Sequence, residues 1–151
     1  MTGINHAITG ALVVVSIKQP AIALPAAFLS HFAIDILPHW DYKVPGPARM
    51  RRLVIATDLL VSIWLIVLVA ALIPDSGWLA LAGGFLAITP DSMWLPYILH
   101  GGQSPVHKKT PLHLARRFHS KIQWSETPIG LVVEIIWFVL MLLLLVEVSI
   151  Q

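Results

Sequence analysis

The chain has 151 residues, of which 57% are hydrophobic and 12% are charged. This composition, with a mean hydropathy of +0.80, excludes an ordinary soluble domain and indicates an integral membrane protein. The absence of cysteine excludes disulfides, thiolate metal ligands and cysteine nucleophiles, so metal chemistry would depend on His, Asp and Glu. The net charge of +2 is mild. Basic residues lie between apolar segments, which favours lipid headgroups over nucleic acid as partners.

Five apolar segments predict an all-α bundle that forms a single membrane domain over residues 1–151. The segments are residues 4–17, 20–37, 53–73, 78–100 and 129–148. The third and fifth are long enough to span a bilayer, whereas the first two are short and fit a tight hairpin that does not cross fully. Pro90 predicts a break in the fourth helix, because proline lacks a backbone donor and disfavours helix at the preceding residue.

The basic residues predict the orientation of this bundle. They cluster in two loops, as Lys43, Arg49, Arg51 and Arg52 and as Lys108, Lys109, Arg116, Arg117 and Lys121. By the positive-inside rule both loops are cytoplasmic, so we expect a bacterial-type inner membrane protein with its N-terminus inside. Within the loop of residues 108–126, residues from about 111 to 124 are expected to form an interfacial helix, either as a lid or as a simple positive-inside loop.

Titratable residues in the apolar segments are expected to meet at the cytoplasmic end of the bundle. Such groups are costly in a membrane and usually mark a functional site. The predicted metal ligands are His6, His31, Asp35, His39, Asp58 and Asp91. His and carboxylate ligands suit Zn²⁺, with Mn²⁺ as an alternative, and the set could hold one or two ions. A divalent cation activates water and stabilises negative charge on a phosphoryl oxygen.

The block from Ser30 to Asp41, which reads SHFAIDILPHWD, resembles a motif of the bacterial membrane-bound metal-dependent hydrolases, a family catalogued as a domain of unknown function. Asn5-His6-Ala7-Ile8-Thr9-Gly10 and Phe118-His119-Ser120 resemble the family's other motifs. The family is in turn distantly similar to zinc-dependent phospholipase C and P1-type nucleases. Asn5 replaces the family's Thr. The late motif often reads His-Arg-x-x-Thr-His-Ser in the family but is Ala115-Arg116-Arg117-Phe118-His119-Ser120 here, which leaves His113 as an alternative to His119.

These observations together predict a metal-dependent hydrolase of phosphoesters, with a phospholipid or lipid phosphate as substrate. Asp41, Asp58 and His119 are the expected catalytic residues, and Arg116 and Arg117 are expected to bind the substrate phosphate. Glu134 is either part of this site or a structural carboxylate. A transporter or channel for metal ions or protons, and a non-catalytic membrane scaffold, are the alternatives that the same residues allow.

Overall fold

The structure of the protein, a computed structural model, describes residues 1–40, 42, 46–73, 75–100 and 110–150. Its helices are α1 (Gly3–Ile17), α2 (Pro20–Ile34), α3 (Ala48–Leu72), α4 (Gly77–Ile88), α5 (Leu95–Leu99), α6 (Pro111–Ile122) and α7 (Gly130–Ser149), and a 3-10 segment, Thr89–Trp94, joins α4 to α5. No strand occurs in these ranges, where a single isolated bridge pairs His39 with Glu126. The all-α prediction is therefore confirmed.

The short helix α1 lies at the centre of the bundle. It contacts α2, α3, α4 and α7, and most of its side chains are buried. Small and medium apolar residues such as Ala7, Ile8, Ala11 and Val14 have no exposed surface, so they allow four neighbours to surround one helix. With 15 residues, α1 is about 22 Å long, which is shorter than the hydrocarbon layer of a bilayer, about 30 Å.

Glycines allow α1 and α4 to cross at close range. A Cβ atom at Gly10 would lie 2.4 Å from the carbonyl oxygen of Gly83, and one at Gly83 would lie 2.5 Å from a methyl carbon of Val14. Any side chain at either glycine would therefore separate the two backbones. Small residues serve the same purpose at helix crossings in membranes. The close crossing places the end of α4 beside the first turns of α1.

Prolines explain where the observed helices differ from the apolar segments. Helix α2 ends at Ile34 instead of continuing to 37, because Pro38 has no backbone N–H and disfavours helix at Leu37. Helix α3 begins at Ala48, directly after Pro47, so it includes a polar turn that precedes the apolar segment. The regular α-helix of the fourth segment ends at Ile88, as Pro90 predicts.

In the part of the chain that the structure describes, two helices are long and apolar enough to cross a membrane. They are α3 and α7, with mean hydropathies of 2.6 and 2.8 in their most apolar windows, of which only 22% and 17% are buried. Core helices of soluble proteins are mostly buried, whereas Leu60, Trp64, Ile136 and Leu143 on these helices are all more than 60% exposed. An apolar solvent would remove the cost of exposing these side chains to water.

Candidate metal centre

Polar side chains from α1, α2, the 3-10 segment and α6 meet at one end of the bundle. Among the described residues, two groups have ligand atoms close enough together to share a cation. The first is His6, His31 and Asp35, and the second is His31, Asp91 and His119. In each group the ligand atoms all lie within 4.8 Å of one another. The two groups together contain five of the residues that the sequence analysis singled out.

Asp35 lies at the centre of the cluster, directly after the last residue of α2. Its Oδ1 atom is 2.5 Å from the amino group of Met1 and 3.2 Å from Nε2 of His6. Its Oδ2 atom is 3.3 Å from Nε2 of His31 and 2.9 Å from Nε2 of His119. Asp35 and all three imidazoles have no exposed surface, so the cluster is a desolvated carboxylate surrounded by nitrogen atoms.

The three imidazoles lie in a stack. The rings of His6 and His31 have centroids 3.9 Å apart, and those of His31 and His119 have centroids 5.1 Å apart. Neither ring nitrogen of His6 makes a hydrogen bond within the described parts of the chain. Buried polar atoms are nearly always satisfied in folded proteins, and a cation is one partner that could satisfy this imidazole.

Two of the imidazoles are oriented by neighbours outside the cluster. The Nδ1 atom of His31 lies 2.8 Å from the carbonyl oxygen of Ala87, near the end of α4. The indole N–H of Trp94 donates to Nδ1 of His119 over 3.1 Å. Asp91 lies in the same 3-10 segment as Trp94, and its side chain is 32% exposed. The broken fourth segment therefore supplies both the wall of the cluster and its one partly exposed carboxylate.

Helix α6 turns its polar side inward. It buries Arg116 and His119 while Leu114 and Phe118 remain 60% and 56% exposed. The Arg116 Nε–H group donates to the Met93 carbonyl oxygen over 2.7 Å, and the guanidinium lies 5.6 Å from the Trp94 ring centre. Arg117 is exposed. The helix predicted within the loop of residues 108–126 is present as Pro111–Ile122, and its interfacial position stays a prediction.

Asp58 and Glu134 bind the backbone at the start of α1. Thr2, the residue before α1, makes no capping bond with its own side chain, although the first N–H groups of a helix need acceptors. Asp58 accepts from the N–H groups of Gly3 (2.7 Å) and Ile4 (3.3 Å). Glu134 accepts from the N–H of Thr2 (3.0 Å) and from its hydroxyl. Carboxylates also suit the positive end of the helix dipole.

Each of these two carboxylates has further partners in the loop after α2. Glu134 accepts from the Trp40 N–H over 2.8 Å, and Asp58 accepts from the Tyr42 hydroxyl over 2.7 Å. Burial and the adjacent Asp58 carboxylate raise the pKa of Tyr42 well above its usual range, which keeps this hydroxyl a donor. Neither carboxylate belongs to the two metal-capable groups of the described residues, and metal binding and catalysis by Asp58 stay predictions.

His39 is buried outside both groups. Its Nδ1 lies 2.8 Å from the Leu37 carbonyl oxygen, while its backbone pairs with the segment before α7 through Thr127 N–H, 3.0 Å from the His39 oxygen. Burial lowers the pKa of this imidazole below its usual value, so it is neutral at pH 7. Metal binding by His39 stays a prediction, and Asp41 lies outside the described residues.

The sequence analysis did not identify three of the residues that shape the centre. Trp94 orients His119, Tyr42 supports Asp58, and Asn5 donates from Nδ2 to Glu134 over 3.1 Å. The role of Asp58 and Glu134 could have been anticipated, because the first N–H groups of a helix that has no side-chain cap must find acceptors elsewhere. No comparable signal pointed to Trp94. Comparison with known proteins yields no matching family model, curated protein or solved structure.

Proposed function

We propose that the protein is a membrane-embedded, metal-dependent hydrolase in which His6, His31 and Asp35 bind a divalent cation, with Asp91 as a further ligand. The observation that carries the proposal is the environment of His6. Its imidazole is fully buried, faces the Asp35 carboxylate, and has no hydrogen bond at either nitrogen within the described residues. A cation between the imidazole and the carboxylate would satisfy both groups.

The distances between ligand atoms support Zn²⁺ as the cation. A tetrahedral Zn²⁺ ion with bonds of about 2.0–2.2 Å places its ligand atoms about 3.3–3.6 Å apart. The distances from the Asp35 oxygens to Nε2 of His6 and of His31 are 3.2 and 3.3 Å. Two imidazoles and one or two carboxylates are a common ligand set for Zn²⁺, and Mn²⁺ accepts the same atoms. The cation would supply a Lewis acid for phosphoester hydrolysis.

The position of the centre favours a lipid phosphoester as the substrate. The centre lies at the end of the bundle where α3 begins. The first turns of α3 contain Arg49, Arg51 and Arg52, and basic residues attract anionic headgroups. Asp91, the partly exposed member of the cluster, provides a side from which a phosphoryl group would approach. Arg117 is exposed on α6 and suits the role of a first contact for the phosphate.

The membrane placement is part of the same proposal. The exposed apolar surfaces of α3 and α7 support a protein that crosses the inner membrane several times, with the centre on the cytoplasmic side and the N-terminus there. Transport is less well supported, because beyond Thr9 the buried side chains along α1 are apolar: Ala11, Val14 and Val15. A proton or ion relay would need polar groups along that path.

Metal analysis of purified protein tests the proposal. We expect about one Zn²⁺ or Mn²⁺ ion per chain when the protein is purified from membranes without a chelator. His31→Ala and Asp35→Asn should lose the ion, whereas His100→Ala, which changes an exposed histidine, should retain it. Phosphate release from anionic lipid vesicles should follow the metal content. Retention of the ion in both centre variants, or metal-loaded protein without phosphoesterase activity on any lipid phosphate, would contradict the proposal.

A further inference from the structure

Three hydrogen bonds link Trp94, His119, His31 and Ala87 into one chain. The Trp94 indole nitrogen lies 3.1 Å from Nδ1 of His119, the two Nε2 atoms of His119 and His31 lie 2.9 Å apart, and Nδ1 of His31 lies 2.8 Å from the Ala87 oxygen. The two ends of the chain are chemically unambiguous, because an indole nitrogen only donates and a carbonyl oxygen only accepts.

The ends of the chain determine where each proton lies. His119 must accept at Nδ1, so the neutral ring carries its hydrogen on Nε2. His31 must donate from Nδ1, so its Nε2 atom holds a lone pair. The central bond between the two histidines agrees with both assignments, since the His119 Nε2–H group donates to the His31 Nε2 lone pair. The same N–H group lies 2.9 Å from Oδ2 of Asp35.

The direction of these hydrogen bonds means that His31 is suited to bind a metal ion and His119 is not. A metal-binding imidazole offers a lone pair from one nitrogen and donates the other N–H to an acceptor, commonly a backbone carbonyl. His31 has this arrangement. His119 has the reverse one, because binding a cation through Nε2 would move its hydrogen to Nδ1, where it would face the N–H group of Trp94. The orientation of His119 therefore excludes it as a ligand and favours the set proposed above, which is His6, His31 and Asp35 with Asp91 as a further ligand.

We propose that Trp94 is a positioning residue that holds His119 as a neutral Nε2–H donor outside the ligand set. The inference rests on the proposed metal-dependent hydrolysis for its functional meaning. In that reaction a neutral imidazole serves as a hydrogen-bond donor to negative charge, on Asp35 in the free protein and on a phosphoryl oxygen when substrate is bound. Arg116, stacked on the Trp94 ring and bonded to the Met93 carbonyl, holds the indole in place.

Nitrogen NMR of histidine-labelled protein in nanodiscs, stripped of metal with a chelator, tests the tautomer directly. We expect a protonated Nε2 and an unprotonated Nδ1 on His119 in the wild type, identified by loss of the signals in His119→Gln. Trp94→Phe keeps an aromatic ring but removes the donor, so it should populate the Nδ1–H form of His119. Trp124→Phe, at a tryptophan that is 70% exposed, should leave the tautomer unchanged.

Zn²⁺ titration of the same preparations tests the ligand set with two variants, His119→Gln and His31→Gln, in which the same replacement is made at each histidine. Glutamine keeps an N–H donor near the place of an imidazole Nε2–H but lacks the nitrogen lone pair. His119→Gln should therefore lose no more than about tenfold in Zn²⁺ affinity, the low end of the range for residues that support a ligand, because the donor is kept. His31→Gln should lose more than about 100-fold, because it removes a ligand.

Each outcome decides the inference. It is overturned by a wild-type His119 that is protonated on Nδ1, by a tautomer that Trp94→Phe does not change, or by equal losses of Zn²⁺ affinity in the two glutamine variants. Failure of the wild type to bind Zn²⁺ or Mn²⁺ would instead overturn the proposed function, and the NMR result would then decide the role of Trp94 alone. The wild-type tautomer also decides the case if Trp94→Phe does not fold.

Discussion

Glu134 is a buried carboxylate that stabilises the backbone around it. It accepts hydrogen bonds from Thr2, Asn5 and Trp40, so a single side chain on α7 joins the start of α1 to the loop after α2. Hydrogen bonds to a charged group contribute about 1.5–3 kcal/mol each, and buried donors that lose their acceptor carry a desolvation cost. The carboxylate therefore contributes to folding whether or not it takes part in chemistry.

We accordingly expect Glu134→Ala to lower the free energy of unfolding by at least about 2 kcal/mol, the loss of one such bond. Unfolding by SDS titration in mixed micelles, followed by circular dichroism, would measure the change. Glu147→Ala is the matched control, because Glu147 is an exposed glutamate on the same helix. Equal stabilities of the two variants would rule out the structural role of Glu134.

His39 predicts a dependence of stability on pH. Its neutral ring donates from Nδ1 to the Leu37 oxygen, and its buried Nε2 has no hydrogen bond within the described residues. Because burial lowers the pKa of His39 in the folded state, the unfolded chain binds the proton more tightly. Folding stability is thus unaffected well above the unfolded pKa of about 6.5 and falls as the pH drops below it.

The variant His39→Asn isolates this contribution, since an asparagine amide can replace the Nδ1 donor but does not titrate. Between pH 7.5 and 5.5 the wild type should lose up to about 1.4 kcal/mol more stability than the variant, the value of one pKa unit. Parallel SDS titrations at the two pH values give the comparison. His100→Asn is the control, because His100 has the same Nδ1 contact with a carbonyl oxygen but is exposed. A pH response in His39→Asn equal to that of the wild type would contradict the argument.

The crossing of α1 and α4 connects packing to the candidate metal centre. Gly83 lies against Val14 and the Gly10 oxygen, and one turn later the Ala87 oxygen orients His31. A leucine at position 83 would push the helices apart. We expect a loss of about 1–3 kcal/mol or more in stability from overpacking, together with a loss of Zn²⁺ affinity of about 10-fold or more as the Ala87 contact breaks.

Thermal unfolding in detergent and Zn²⁺ titration would measure the two effects of Gly83→Leu. Ala71→Leu, which enlarges an exposed alanine on α3, is the control for a bulkier side chain. If Gly83→Leu were as stable as the control and also bound Zn²⁺ with wild-type affinity, the close crossing would have no part in forming the centre.

The sequence predicts the helices and the convergence of His6, His31, Asp35 and Asp91 because both depend on patterns along the chain. Apolar runs of the right length indicate helices, and alternation of their direction brings the polar ends together. Hydrogen-bond partners follow a different rule. Asp58 and Glu134 bind backbone N–H groups of α1, and every residue but proline carries such a group, so no residue pattern reveals this pairing. The contact of His31 with the Ala87 carbonyl oxygen could not be predicted for the same reason, because every residue carries a backbone carbonyl.

The apolar segments predicted both ends of α1 and α7 to within one residue. The start of α3 at Ala48 was missed because its first turns contain Arg49, Arg51 and Arg52, whose polarity hides a helix from an apolar pattern, although arginine is a good helix former. The position of Trp94 could not be predicted either. It depends on the 3-10 segment, whose geometry turns the indole towards α6.

The alternation of the helices places the two ends of the bundle on opposite sides of the proposed membrane. The candidate metal centre and α6 lie at one end, and the turn between α3 and α4 lies at the other. Since the chain has no cysteine, a single introduced cysteine is the only thiol that a maleimide reagent can modify. Ser120 on α6 and Asp75 in the distant turn are both exposed and lie outside the ligand set.

We expect a membrane-impermeant maleimide to label Ser120→Cys in inverted vesicles and Asp75→Cys in intact spheroplasts, because the positive-inside rule places the arginine-rich end in the cytoplasm. Labelling after detergent addition gives the maximum for each variant and serves as the control for accessibility. The reverse pattern would place the centre outside the cell, where a cytoplasmic-leaflet lipid phosphate could not be its substrate. Labelling of both cysteines from one side would mean that α3 does not cross the membrane, and the exposed apolar surface of α3 would then need a partner other than lipid.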